Sequence, residues 1–357
     1  MKIVALIFII IWVFLLAVRE KINLKVYFGA FGILRTKIGL NVIDKLGKYK
    51  FWRKIGYISI PICVLLGGYA LFNIINMSIK LISGELPKSA GKPIIFLFGS
   101  VIPILPGIIA LTIAITAHEL FHGVIARSFN INVKSSGILL MLGFPLGFFV
   151  ELDEKFKTTE KKVRAAIASA GPMANLILCV ISLPLMYLSY SIPSEIVVIK
   201  TYEPASKYLK SGDIILRIND YNIKSIADFK NFAKEIKPNK VYRIEVLRGN
   251  KVISYNIKSS NEGKLGLLVS PSGSLAFLIN TLYWSYLFNL LLALFNLLPA
   301  FPLDGFYVFS SIPEIFKSIR LYKFGNFLEV IVNEKTLRSI SLLIWWIILG
   351  AIIYSMW

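Results

Sequence analysis

His118-Glu119-Leu120-Phe121-His122 carries both histidines of a 357-residue chain, and it lies inside an apolar run at 105–126. On a helix, positions i and i+4 share a face, so both imidazoles can point at one ion. Glu119 stands beside them, placed to act on water held by that ion. A charged residue at the centre of a membrane helix costs about 2.5–3.5 kcal/mol on insertion scales, so a merely solvated Glu119 is hard to sustain within 108–124. The pattern also arises by chance in helical proteins. The scarcity of histidine elsewhere favours a metal site with hydrolytic chemistry.

The surroundings of this phrase are a membrane. The chain is 56% hydrophobic with a mean hydropathy of +0.69, well beyond a soluble domain. Runs near the ~20 apolar residues a spanning helix needs fall at 3–18, 56–77, 105–126, 166–190, 276–298 and 339–357. The expected fold is therefore a polytopic α-helical membrane protein with about six transmembrane helices. The apolar stretch 93–106 either extends the third span or forms a separate interfacial piece. A net charge of +20 is read as loops facing the cytoplasm beside the lipid bilayer, and no nucleic-acid partner is expected. Cys63 and Cys179 fall within predicted spans and read as packing residues.

Basic residues set the topology. Ten of them lie between Arg19 and Lys54 against Glu20 and Asp44 alone, which makes 19–54 a cytoplasmic loop. The first span carries only Lys2 before it and reads as an anchor with its N-terminus outside. Segment 78–92 then falls outside with three basic residues, 127–164 inside with seven, and the region from 305 to 338 inside with five.

From about 195 to 258 the pattern changes to strand-like alternation. Strands are expected at 196–199, 212–219, 241–247 and 252–257, and a short helix at 227–236. The order of these elements, with Gly212-Asp213-Ile214-Ile215-Leu216-Arg217-Ile218-Asn219-Asp220 and Glu203-Pro204-Ala205, resembles a PDZ domain of membrane and periplasmic proteases. Such a fold accepts an extended peptide or a free C-terminus as an added strand. The plainer alternative is a β-rich spacer without a ligand. The topology places this α+β insert outside the cytoplasm.

A second phrase follows the fifth span, Asn296-Leu297-Leu298-Pro299-Ala300-Phe301-Pro302-Leu303-Asp304-Gly305. Its prolines break the helix, and non-helical backbone at membrane depth is tolerated only when buried in protein or facing water. Asp304 is thus a candidate third metal ligand, the alternative being an interfacial Asp that starts a cytoplasmic loop. Depth offers a check. His118 lies about 13 Å and His122 about 7 Å from the inner end of the third span at Arg127, and Asn175 about 16 Å along the fourth span from Arg164. Three elements bring polar groups into one leaflet.

Together, His118–His122, Gly171-Pro172-Met173-Ala174-Asn175 and Asn296–Gly305 resemble the site-2 protease family of intramembrane zinc metalloproteases over about 105–357. The resemblance implies His118, His122 and Asp304 as ligands of one Zn2+. It implies Glu119 as general base, Asn175 as an aid to the substrate carbonyl, and Asn296 and Pro299 as shapers of the third ligand's loop. Without the resemblance, Asn175 could equally bond two helices. The resemblance further implies a membrane-embedded hairpin at 137–150, whose free edge could pair with an unwound substrate. An amphipathic loop beneath the catalytic spans is the other reading. The expected partners are transmembrane protein substrates. The expected organisation is an N-terminal helix pair with its basic loop at 1–92, a first part of the catalytic core at 93–190, the PDZ-like insert at 191–270 and the rest of the core at 271–357. A pseudoprotease that only binds membrane helices conflicts with the complete set of four site residues. A metal transporter would call for a path of carboxylates or an internal repeat.

Overall fold

The computed structural model describes residues 2–88 and 101–356. The chain begins with α1 (Lys2–Ala17), β1 (Leu24–Tyr27), β2 (Phe31–Thr36) and α2 (Leu40–Gly47), then the long apolar helices α3 (Phe51–Ile82) and α4 (Ile104–Ser128). A hairpin of β3 (Val133–Met141) and β4 (Phe144–Leu152) follows, with a single turn α5 (Lys155–Thr158). Helix α6 (Lys161–Ala168) runs through Ser169 into α7 (Ala170–Ser189). Next come β5 (Ile196–Thr201), β6 (Ile214–Ile218), β7 (Tyr221–Asn222), α8 (Ile226–Lys234), β8 (Val241–Arg248), β9 (Lys251–Lys258) and β10 (Leu267–Pro271). The chain closes with α9 (Gly273–Asn296), three short helices α10 (Asp304–Ser310), α11 (Ile312–Ser318) and α12 (Tyr322–Ile331), and α13 (Glu334–Met356).

Among the described residues, five helical stretches are long and apolar enough to cross a bilayer, at 51–82, 104–128, 161–189, 273–296 and 334–356. They match five of the six expected spans. The expected first span, 3–18, is the 16-residue α1, about 24 Å long and short of a ~30 Å hydrocarbon core. Its Trp12 is buried with Leu24 and Leu140 and donates its indole N–H to the Gly29 carbonyl at 3.0 Å. Helix α1 thus covers part of a β-sheet that the composition of 19–54 did not announce. The ambiguous stretch 93–106 lies outside the described residues as far as residue 100, and 104–106 open α4.

That sheet has the order β1-β2-β3-β4 and is antiparallel throughout. The expected loop 19–54 therefore supplies two strands, and 137–150 is a hairpin within a four-stranded sheet. Its polar end is tied by Arg35 to Glu151 at 3.0 Å and by Ser135 to the same carboxylate at 2.8 Å. Helix α2 buries Ile43, and Asp44 accepts from Arg127 of α4 at 2.6 Å, which fixes the C-terminal end of α4.

The chain divides into two compact units, Met1–Cys179 with Leu287–Trp357, and Val180–Tyr286. The second contains a sheet of order β10-β5-β6-β8-β9, with β7 beside β6. Its core is built by alternate residues of the strands, Ile196, Val198, Ile215, Ile244 and Val246, with Phe232 from α8. Ser225 caps α8 by accepting the Asp228 N–H. The strands expected at 196–199, 212–219, 241–247 and 252–257 correspond to β5, β6, β8 and β9; β7 and β10 were not anticipated. Asp213 is buried and accepts from Arg248 Nε and Nη2, both at 2.7 Å, and from the Lys210 N–H at 2.8 Å. Burial pushes its carboxyl upward, but the Arg248 and Lys210 hydrogen bonds outweigh that and hold it below the usual carboxylate range.

Candidate metal centre

Helix α4 presents His118, Glu119 and His122 from its C-terminal half, the two imidazoles on one face as the i, i+4 spacing requires. Asp304 arrives differently. Helix α9 ends at Asn296, and the segment 297–303 crosses to α10 without regular structure. Unpaired backbone groups at such depth cost several kcal/mol each, and here they find partners. The Ala300 N–H donates to the Leu298 carbonyl at 2.7 Å and the Leu303 N–H to Ala300 at 2.8 Å. Phe301 is gripped from α13, its N–H by Ser341 Oγ and its carbonyl by the Trp345 indole N–H, each at 2.9 Å. Ser341 and Trp345 are one helical turn apart, so one face of the last helix fixes the loop that delivers Asp304. Gly305 lets α10 start directly against the Leu297 and Leu298 carbonyls, where any Cβ would collide.

One Asp304 oxygen lies 3.1 Å from His118 Nε2 and 3.2 Å from His122 Nε2. Tetrahedral zinc with bonds near 2.0–2.1 Å separates its ligand atoms by about 3.3 Å, so the spacing fits. The far side of each ring fixes its tautomer. His122 Nδ1 lies 2.7 Å from the Ile167 carbonyl, which can only accept, so Nδ1 carries the proton and, in the neutral ring that a metal requires, Nε2 the lone pair. His118 Nδ1 lies 2.5 Å from Asn175 Oδ1. The Asn175 amide NH2 is committed to the Ala114 carbonyl at 2.9 Å and to Asn289 Oδ1 at 2.8 Å, so its oxygen faces the imidazole. Three acceptors therefore converge on one point, an arrangement that a cation between them resolves.

Gly171 marks where such an ion fits. A Cβ built there would sit 2.7 Å from His118 Nε2 and closer still to that of His122. Any side chain at 171 would occupy the space in front of the two ring nitrogens. A cavity of about 260 Å³ opens beside the cluster, with Glu119, Val150, Asn296 and Tyr307 in its wall. Glu119 Oε2 accepts the Val150 N–H of β4 at 3.0 Å.

His118, His122, Asp304 and Glu119 are thus brought together. The sequence-expected Asn175 is fully buried behind His118, with its amide spent on His118, Ala114 and Asn289, and Asn296 reaches the cavity wall. Sequence reasoning missed Ile167, Gly171, Asn289, Ser341 and Trp345. The signal for Asn289 was a polar side chain in an apolar span, and that for Ser341 and Trp345 a helical spacing on the final helix.

The sequence profile described as peptidase family M50 matches residues 106–332. An uncharacterized protein of Methanocaldococcus jannaschii is 60% identical over all of this chain and 98% of its own length. A Rickettsia conorii protein provisionally named a zinc metalloprotease is 30% identical over 36% of this chain and 45% of its own.

Proposed function

The chain belongs to peptidase family M50, the family of the site-2 proteases, and we propose that it cuts peptide bonds within or next to the transmembrane segments of other membrane proteins. The observation that carries this reading is the convergence of His118, His122 and Asp304 on the space that Gly171 leaves open. Zinc held there supplies Lewis acidity that polarises the scissile carbonyl and acidifies water. With that ion bound, Glu119 would accept a proton from the attacking water at its carboxylate and return it to the leaving amine. Asn175 acts as a positioning residue: its carbonyl oxygen holds the His118 Nδ1 proton and so turns Nε2 toward Asp304.

A helical substrate hides its carbonyls in its own hydrogen bonds and must unwind before it is cut. Strand β4 is an edge of its sheet and offers an extended segment a place to pair. In the unit of residues 180–286 we assign a PDZ-like role to the insert at 191–270. A groove of about 700 Å³ runs between α8 and the start of β10, with Phe229, Ala233, Ile236 and Leu267 in its walls, and a peptide or free C-terminus fits it. The flanking parts of the chain, 1–92, 93–190 and 271–357, form the membrane portion. The basic-residue bias supports a cytoplasmic location for 19–54 and 127–164, an external one for the insert, and catalysis in the cytoplasmic leaflet.

The test is cleavage of a single-span model substrate by the purified protein and by its Glu119→Gln variant. Cutting by the wild type alone supports the reading. Cutting at equal rates removes Glu119 as base, and binding without cutting by either protein leaves a pseudoprotease.

A further inference from the structure

The hydrogen bond from Val150 to Glu119 lies on the one edge of the sheet that faces the catalytic helix. Val150 pairs with Ser136 across β3, and the register is continuous from there to Leu139 opposite Gly147. In an antiparallel ladder, the two groups of each residue point either both to the partner strand or both away, alternating along the strand. Because the Val150 N–H reaches Glu119 of α4, it points away from β3. By alternation the N–H and carbonyl of Phe148 also point away. Among the described residues no fifth strand follows in the sheet order, so β4 presents outward-facing donors and acceptors with the general base already bound to one of them.

We propose that Glu119 and an incoming extended substrate compete for the Val150 N–H, so that strand pairing at β4 is what releases the base for catalysis. The inference rests on the reading of Glu119 and β4 given above. In the resting arrangement the carboxylate satisfies an edge amide that would otherwise be unpaired at membrane depth. A substrate strand laid along Phe148 and Val150 brings its own carbonyl to that amide. The exchange keeps the Val150 N–H bonded, adds pairing at the outward groups of Phe148, and turns Glu119 Oε2 free toward the space beside His118 and His122. A substrate that stays helical has no free carbonyl to offer and leaves the base occupied. The enzyme thereby links its proton acceptor to an unwound substrate, which protects intact membrane helices that merely diffuse into the cavity.

The experiment uses the full-length protein in detergent with a chelator, so that no cleavage occurs and the outcome is independent of catalytic competence. The probe is the fluorescent peptide acetyl-(Thr-Val)3-amide, followed by anisotropy. A net hydrogen bond of about 1–1.4 kcal/mol corresponds to a roughly five- to tenfold change in affinity. Glu119→Ala and Glu119→Leu, which free the Val150 N–H, are expected to bind the probe roughly five- to tenfold more tightly than wild type. Glu119→Gln keeps an acceptor oxygen and is expected to bind as wild type does. Val150→Pro, tolerable on a strand edge because the lost N–H faces outward, is expected to abolish the gain from Glu119→Leu. A probe N-methylated at alternate residues, which cannot pair, is expected to lose the preference in every background. Equal or weaker binding by both Glu119→Ala and Glu119→Leu overturns the proposal, as does a gain that persists with Val150→Pro. A wild-type protein that cleaves its substrate yet shows no such competition refutes this inference alone and leaves the proteolytic reading standing.

Discussion

Adding one methyl group at Gly171 is expected to weaken this protein's hold on its metal while leaving its fold intact. The Cβ of Gly171→Ala would lie 2.7 Å from His118 Nε2 and 2.8 Å from Cδ2 of the same ring, whereas ordinary contacts begin at 3.4 Å. The His118 ring alone must yield by about 0.7 Å, and the His122 ring, whose Nε2 is closer still, by more. The imidazoles can swing away only by straining the bonds from His118 Nδ1 to Asn175 and from His122 Nδ1 to Ile167. Each is worth about 0.5–1.5 kcal/mol net, so binding should weaken by about 1–3 kcal/mol, roughly five- to hundredfold in affinity. The assay is competition between the purified variant and a zinc chelator of known affinity, read beside the thermal unfolding midpoint of the metal-free protein. Gly68→Ala is the control, since a Cβ there meets nothing within 4 Å and a helical alanine is favoured over glycine. Wild-type zinc affinity in Gly171→Ala would refute the placement of the ion between the two Nε2 atoms.

Asp304→Ala is expected to lower zinc occupancy and eliminate cleavage, while Asp153→Ala, which loses only a 3.9 Å contact with Lys134, changes neither; retained zinc and activity in the first variant would remove Asp304 from the centre. Within the insert, Asp213→Asn should destabilise the unit at pH 7 by about 1.5–3 kcal/mol, the range for charged hydrogen bonds. Because the folded carboxyl is held below its unfolded value near 3.8, that contribution is fully present above about pH 4 and is lost as pH falls through the lower folded value. Unfolding midpoints of wild type and Asp213→Asn should therefore converge in acid, and a constant gap would contradict the assignment. For orientation, an impermeant maleimide applied to intact cells lacking Cys63 and Cys179 should label Lys251→Cys and spare Lys48→Cys, both exposed positions. The reverse pattern would invert the topology.

The parts of the molecule legible in the sequence are those where local pattern and final environment agree. The H-E-x-x-H spacing on α4, the apolar runs and the alternating strands of the insert each need only their own residues to be read. Asp304 could be nominated because prolines at 299 and 302 force a break that a membrane must justify. What escaped the reading depends on contacts distant in sequence. Strands β1 and β2 lie in a stretch read for its charge; β1 pairs with β2, and β2 with β3 about a hundred residues later. Hydropathy marked helix α1 as a span, and it did not announce that Trp12 packs on the sheet beside Leu24 and Leu140. Asn175 was expected to face the substrate carbonyl, and its depth behind His118 emerges only when Ala114 and Asn289 are seen to take its two amide hydrogens. Gly171 belonged to a quoted motif, yet its purpose is visible only with both ring nitrogens in place.

The central claim is that zinc bound by His118, His122 and Asp304 supports peptide hydrolysis inside a membrane span. It is tested most directly by incubating the purified protein, reconstituted in lipid vesicles, with a single-span substrate and mapping the product termini by mass spectrometry while zinc is removed and returned. The account predicts one zinc per chain and a cut within or immediately beside the substrate's apolar segment, lost on chelation and restored by zinc. Cutting confined to soluble loops, or cutting that persists in chelated protein without zinc, would contradict it.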